Sequence, residues 1–372
     1  MIRRRFRLVL LVVVVVLAVS AVPARAIGSF GPPVGVYDPP CPFDGFSVDA
    51  AQDTSGVAHG FAQLWCEDDL TIHYFEGSGG TWTQEATPYQ GFVMGVAWDT
   101  TGTYLLYLDV RQGQGVRITK RLTDGTYTPG RLLSRNWASS SDTQGDVVAT
   151  GGQWWAVWTE YVGTSRPQLE LFQAYTIGGA ARGRQRITAN PLRDWGPTLA
   201  LTPGSTFPLN LIWVRGGPEA GQPETQTDLR RGLGNAAGSW SSGNLATLGF
   251  SNFWPDAEVV GTTTYVTWIR DGRAMAADNQ SGRFVSHRFN TPAIPHGRPR
   301  VAVSSGIVYA GWTATVNRAF VAARVGGVWT GAFASPANLP RAQLLVGLVP
   351  SAGKATALSI SFGSRLYATT ET

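Results

Sequence analysis

The sequence predicts an all-β chain built from a radially repeated unit, and three observations carry that prediction. Gly and Pro number 45 and 22 in 372 residues. They are spread along the whole chain, and both are poor in helix interiors. Charged residues make up only 15% while aromatics reach 11%, a balance that excludes long-range disorder. A short pattern recurs at about 40 to 50 residues, the length of a four-stranded blade.

The recurring unit opens on a short apolar strand introduced by Gly or Pro, in Gly145–Ala149, Pro197–Leu201, Pro255–Val259 and Pro299–Val303. A second strand follows and ends in an aromatic, at Tyr107, Trp158, Trp213, Trp268 and Trp312. The turn before the fourth strand reads Gly-x-aromatic, in Gly80–Trp82, Gly125–Tyr127, Gly238–Trp240, Gly282–Phe284 and Gly327–Trp329. One such sheet cannot bury both of its faces, so the units must stack radially. The repeated Trp and Tyr side chains are then expected as packing between blades. Full units start near Phe43, Gly91, Gly145, Gly196, Pro255 and Pro299. The remainder, Leu344 to Glu371, holds three strands (Leu344–Val349, Ala355–Phe362 and Arg365–Thr369). Gly31–Tyr37 supplies the fourth strand, because closing the ring removes two exposed edges. The expected fold is a seven-bladed β-propeller over residues 27–372, with six blades as the alternative count.

Residues 1–26 have the pattern of an export signal. Arg3, Arg4, Arg5 and Arg7 precede the apolar run Leu8–Val19, and Ala24-Arg25-Ala26 is a small-x-small cleavage pattern. The run is shorter than the ~20 residues of a membrane-spanning helix, so cleavage and a secreted or periplasmic product are expected. Without this segment, 25 basic residues face 25 acidic ones. A neutral chain has no electrostatic reason to seek nucleic acid or an anionic membrane. The expected partner is an extracellular glycan or an envelope protein, met by a monomer. Outside the cell, two cysteines favour one disulfide, Cys41 to Cys66. It would close a loop of ~25 residues and contribute about 3 kcal/mol. Thiol labelling of denatured, unreduced protein should find no free thiol, and two labelled cysteines would refute the pairing.

In its turn motif the chain resembles the sialidase-like propellers that carry BNR, or Asp-box, repeats. Their turn reads Ser-x-Asp-x-Gly-x-Thr-Trp. Gly79, Thr81 and Trp82 match its tail, while Phe75 and Gly77 stand where the Ser and the Asp would be. The resemblance implies the propeller fold. Sialidases of that family also carry an Arg-Ile-Pro signature in the first blade, an arginine triad and a Tyr/Glu nucleophile pair. The first unit here has no such Arg, and Arg298-Pro299 sits in the sixth unit, so a true sialidase is not expected.

In a propeller, the links between blades and the loops from second to third strands share one face. The links carry Asp142, Asp194, Trp195, Asn252, Phe253, Trp254, His296 and Arg298. The loops carry Glu67, Asp68, Asp69, Asp109, Arg111, Glu160, Arg215, Arg270 and Asp271, with a long insertion expected over Arg215–Gly234. Glycoside hydrolysis needs two carboxylates about 5 to 10 Å apart, and Asp109, Glu160, Asp194 and Asp271 are the candidates. A lyase would use His296 as base and Arg298 to neutralise a uronate. Trp195, Trp254, Arg215, Arg270 and Arg298 are the candidate ligand-binding residues. The plainer reading makes each carboxylate a solvated or arginine-paired loop residue. No phosphate-binding loop, dinucleotide fingerprint, HExxH or Gly-x-Ser-x-Gly motif occurs. Glu67–Asp69 lacks the alternating spacing of a calcium loop, so no metal or cofactor is expected. Three functions remain compatible with such a fold: a glycan-binding or glycan-cleaving propeller, a non-catalytic protein-interaction platform at the envelope, and a small-molecule or metal-dependent hydrolase working in the central funnel.

Overall fold

The computed structural model describes residues 27–372 except 28, 40–44, 66–68, 112–113, 138–142, 164–167, 203–207, 217–226, 236–237, 251, 293–296, 315–317, 335–342, 352 and 362–364. The 1–26 segment, Cys41, Cys66, Asp142 and His296 therefore lie outside the described residues. The described chain forms 28 strands and no helix. They make seven separate four-stranded antiparallel sheets, the blades of a seven-bladed β-propeller. The innermost strands are Gly45–Gln52, Phe92–Asp99, Gly145–Thr150, Asp194–Leu201, Asn252–Val260, Arg300–Ser304 and Gln343–Ser351. They start within a few residues of the predicted blade boundaries.

Blade 7 closes the ring as expected. Its own strands are Gln343–Ser351, Lys354–Ser361 and Arg365–Thr370, and Val34–Tyr37 is added as the outermost strand. Val34 pairs with Ala368 and Gly35 with Tyr367. The amide of Gly31 extends the clasp by donating to the Thr370 carbonyl at 2.9 Å.

The second-strand aromatics pack between blades. Trp158, Trp213, Trp268 and Trp312 are each no more than 1% exposed. One core joins Leu106 and Leu108 of blade 2 to Trp158 and Phe172 of blade 3. Another joins Val36, Leu358 and Leu366 of blade 7 to Ala62 and Phe75 of blade 1. The glycine of a Gly-x-aromatic turn has both a backbone and a packing cause. Gly238 sits at φ +80°, and a Cβ there would lie 2.6 Å from the Tyr175 hydroxyl. Neither condition admits a side chain.

The structure corrects the expected insertion. Thr227–Gly234 is the third strand of blade 4, paired residue for residue with Leu209–Gly216, so the connection is only 217–226. Two adjacent arginines hid this strand. Arg231 donates to Asn210 Oδ1 of its own blade and lies against the next one, 5.1 Å from the centre of the Phe284 ring.

Candidate functional site

The seven inner strands surround a central channel of about 380 Å³. Successive strand residues face opposite ways, which brings Asp49, Asp146, Asp256 and Arg300 to this lining. An inner strand is a sheet edge, and its outward N–H groups have no ladder partner. Three of these N–H groups are met by carboxylates from the preceding blade. Asp49 of blade 1 accepts from Val96 N at 2.8 Å, and Asp146 of blade 3 accepts from Leu199 N at 2.8 Å. Asp256 of blade 5 accepts from Val301 N at 2.9 Å. These carboxylates staple blades 1–2, 3–4 and 5–6, while the inner strand of blade 7 is tied to blade 6 by Leu345 N, which donates to Thr313 Oγ1 at 3.1 Å. Arg300 of blade 6 reaches across the channel to two of these carboxylates. Its Nη1 lies 2.9 Å from Asp49 Oδ1 and 3.9 Å from Asp256 Oδ1, in front of blade 7, whose inner strand offers Gly347.

Charge is concentrated in this lining. Burial, reinforced by the Asp49 carboxylate, pushes Asp146 up to about 7 against the pull of Arg298. Glu258 lies deeper on the same strand as Asp256. Burial and the carboxylates of Asp256 and Asp146 push it up to about 8. Burial raises Asp256 as well, opposed by Arg300 and Arg298. Burial works against the charge of Arg300, but Asp49, Asp256 and Asp146 outweigh it and hold the guanidinium above its ordinary range.

The channel opens on the face shared by the blade links, through a recess of about 320 Å³ lined by Phe46, Met94, Gln144, Trp254, Gly297 and Arg298 among others. Arg298 is half-buried there and donates to the Pro197 carbonyl at 3.4 Å. Trp254 is the unusual member, with φ at +50°. That region is strained for a bulky side chain, more so for one that precedes a proline. The equivalent link in blade 4 has Gly196 before Pro197, at φ +60°. Both links carry a register irregularity, between Trp195 and Thr198 and between Phe253 and Asp256. Blade 5 therefore puts an indole where the repeat uses glycine. Aligning the two pre-proline positions in the sequence would have exposed this.

The other candidate residues occupy separate places on different blades. Asp109 is ion-paired with Arg117 Nε at 2.8 Å and accepts from Arg111 N at 3.0 Å. Glu160, fully buried, accepts from Trp158 Nε1 at 2.6 Å and from Arg184 Nη2 at 2.7 Å. Asp194 takes Trp213 Nε1 at 2.7 Å and Arg215 Nε at 2.8 Å, so Arg215 is held by a buried carboxylate. Trp195 donates from Nε1 to the Gly216 carbonyl at 3.0 Å and leans on Phe253. Arg270 and Asp271 belong to a tight hairpin. Arg270 pairs with Arg273 across Asp271 and Gly272, at φ +48° and +66°. An Asp-Gly pair between two strands signals such a turn. Asp109, Glu160 and Asp271 thus stand on blades 2, 3 and 5. The sequence reading missed Asp49, Asp146, Asp256, Glu258 and Arg300, although Asp146, Asp256 and Arg300 directly follow the Gly or Pro that opens each inner strand. Among the described residues, no group of three or more His, Cys, Asp or Glu side chains is arranged to hold a metal ion.

Fold and channel together define a seven-bladed propeller with a charged central channel. No family model matches the chain, and no curated protein matches it. Solved structures do. A puromycin-hydrolyzing peptidase of Mycobacterium tuberculosis aligns with a TM-score of 0.55 at 12% identity, over 90% of this chain and 53% of that one. The chain thus spans about half the length of that enzyme. YCF48 bound to a D1 peptide aligns at 0.51 and 11% identity, over 95% and 99% of the two chains. The fucose-specific lectin of Aleuria aurantia aligns at 0.50 and 12% identity, over 81% and 100%. At these identities the similarity is one of fold.

Proposed function

We propose that the protein is a secreted, monomeric recognition propeller that binds an extracellular carbohydrate at the mouth of its central channel. The observation that carries this reading is Trp254. A bulky residue kept at positive φ before proline costs about 1–3 kcal/mol of strain, and strain of this kind concentrates at ligand-binding positions. The indole offers an apolar face to a sugar ring. The Gln144 amide and the Arg298 guanidinium, lining the same recess, supply the directed donors and acceptor that hydroxyls require. Binding without cleavage suits the geometry, since Asp49, Asp146 and Asp256 are engaged in holding the blades together. The Asp-box-like tail at Gly79–Trp82 and the export pattern of residues 1–26 agree with an extracellular glycan partner.

A glycan array on the folded protein tests this reading, followed by two substitutions at Trp254. Trp254→Ala should weaken the bound glycan by about 1–3 kcal/mol, the effect of removing an anchoring aromatic. Trp254→Gly should weaken it equally while keeping the melting temperature near wild type, because glycine relieves the backbone strain. If both substitutions lower the melting temperature and leave affinity unchanged, Trp254 only packs. Binding of peptides with no glycan bound would favour an interaction platform instead.

A further inference from the structure

Four carboxyls line the central channel, and among the described residues Arg300 is the only cation in that lining. Three of the four are engaged. Asp49, Asp146 and Asp256 each accept a backbone N–H of the following blade. Glu258 differs from them. It is enclosed within the ring, yet it makes no hydrogen bond and no ion pair among the described residues. It stands two residues after Asp256 on the same strand, so both face the same way. The corresponding positions after Asp49, Asp146 and Arg300 are Ala51, Val148 and Ala302, and all three line the channel. Glu258 is thus one layer deeper than the charged ring, and these neighbours in its layer are small and apolar. Trp98 of blade 2, across the ring, is the aromatic of the lining. The His59 ring stacks on it at a centroid distance of 6.2 Å.

We infer that the channel is a binding site for a primary alkylammonium ion, with Glu258 as its counter-ion. A buried carboxylate with no partner is unfavourable, and burial with the charges of Asp256 and Asp146 pushes Glu258 up to about 8. An incoming cation supplies the missing charge. The Glu258 proton then leaves to solvent, and the carboxylate pairs with the ammonium. The donor set selects this chemistry. A calcium ion takes about six to eight oxygen ligands, whereas Glu258 offers two beside alanine and valine. A sugar needs several directed donors and acceptors. A primary ammonium needs one strong acceptor for its charge, its alkyl stem suits the apolar wall, and the indole of Trp98 adds a π face. Asp49, Asp146, Asp256 and Arg300, the other ionisable groups of the lining, keep their partners. The volume of about 380 Å³ admits a small amine. The inference does not rest on the glycan reading, since Trp254 lines the mouth recess and not the channel.

Calorimetric titration of the protein with n-pentylamine at pH 7 tests this, run in phosphate and in HEPES. The two buffers differ in ionisation heat, so their difference reads proton release. One amine per chain should bind with release of close to one proton, and n-pentanol should not bind. Affinity should rise about tenfold per pH unit between pH 5 and pH 7 and level off above the Glu258 value near 8. Glu258→Gln should abolish binding in a folded protein. If that variant does not fold, Glu258→Asp must weaken binding at least tenfold while keeping the proton release. Trp254→Gly should leave the amine titration unchanged, so the channel and the mouth fail separately. Methyl glucosaminide replaces n-pentylamine in a parallel run, and its binding where n-pentylamine does not bind would overturn the alkyl assignment. No amine binding, equal binding of n-pentanol, no proton released, or binding that survives Glu258→Gln each overturns the inference.

Discussion

Replacing Glu160 by alanine is expected to destabilise the protein by about 3 kcal/mol, read as a lowered melting temperature and denaturant midpoint. The side chain is fully buried and holds Trp158 Nε1 and three guanidinium contacts from Arg184. Its removal orphans a buried indole N–H and opens a void beside the blade 2–3 core, and breaking a buried pair from one side is strongly unfavourable. Arg184 is 37% exposed and can turn to water, which keeps the loss below the upper end for such pairs. Glu160→Gln retains an acceptor for Trp158 and should cost about half as much. Were Glu160 instead the acid or base of a hydrolase, Glu160→Gln would abolish turnover and leave the melting temperature in place. That result would return this residue to the catalytic reading.

Stability should fall by about 2 kcal/mol between pH 6.5 and pH 9, from the channel carboxyls alone. Asp146 and Glu258 are held near 7 and 8 in the folded ring, against about 4 in an unfolded chain. Over that window the folded state binds more protons than the unfolded one, so unfolding free energy declines as pH rises. The decline begins above the unfolded value near 4 and ends once Glu258 has ionised. Below pH 6.5 two histidines act in the opposite sense. Burial lowers both His73 and His287, so each prefers to be neutral when folded and adds stability as pH rises toward 6.5. Near pH 4 and below, Asp69, held low by its hydrogen bonds from Thr71, loses its contribution. Thermal melts at pH 6.5, 7.5 and 9 read the slope directly. Glu258→Gln should flatten it and raise the melting temperature at pH 9 by several degrees. A slope undiminished by this substitution, or one that rises toward pH 9, rules out the channel as its source.

Much of the fold was legible because its signals are local and periodic. The second-strand aromatics, the Gly or Pro that opens an inner strand and the Gly-x-aromatic turns recur in most units, and each is a short pattern within one blade's sequence. The ring closure by residues 31–37 was legible for a different reason, since a three-stranded remainder and a spare strand leave two edges that only pairing removes. The strand at Thr227–Gly234 was not legible. Its Arg230 and Arg231 break the apolar alternation, and Arg231 finds its place through Asn210 and contact with blade 5.

The site divides along the same line. The sequence alone determined a seven-bladed propeller, its closing strand and the face on which blade links and second-to-third loops gather. Only the tertiary structure decided that Asp109, Glu160 and Asp194 are held by arginines, because each partner lies on another strand and no spacing rule connects them. It also decided that Asp49, Asp146, Asp256 and Arg300 meet at the axis. Arg300 and Asp49 are 251 residues apart, and they meet only because the closed ring brings the inner strands of blades 6 and 1 to one channel.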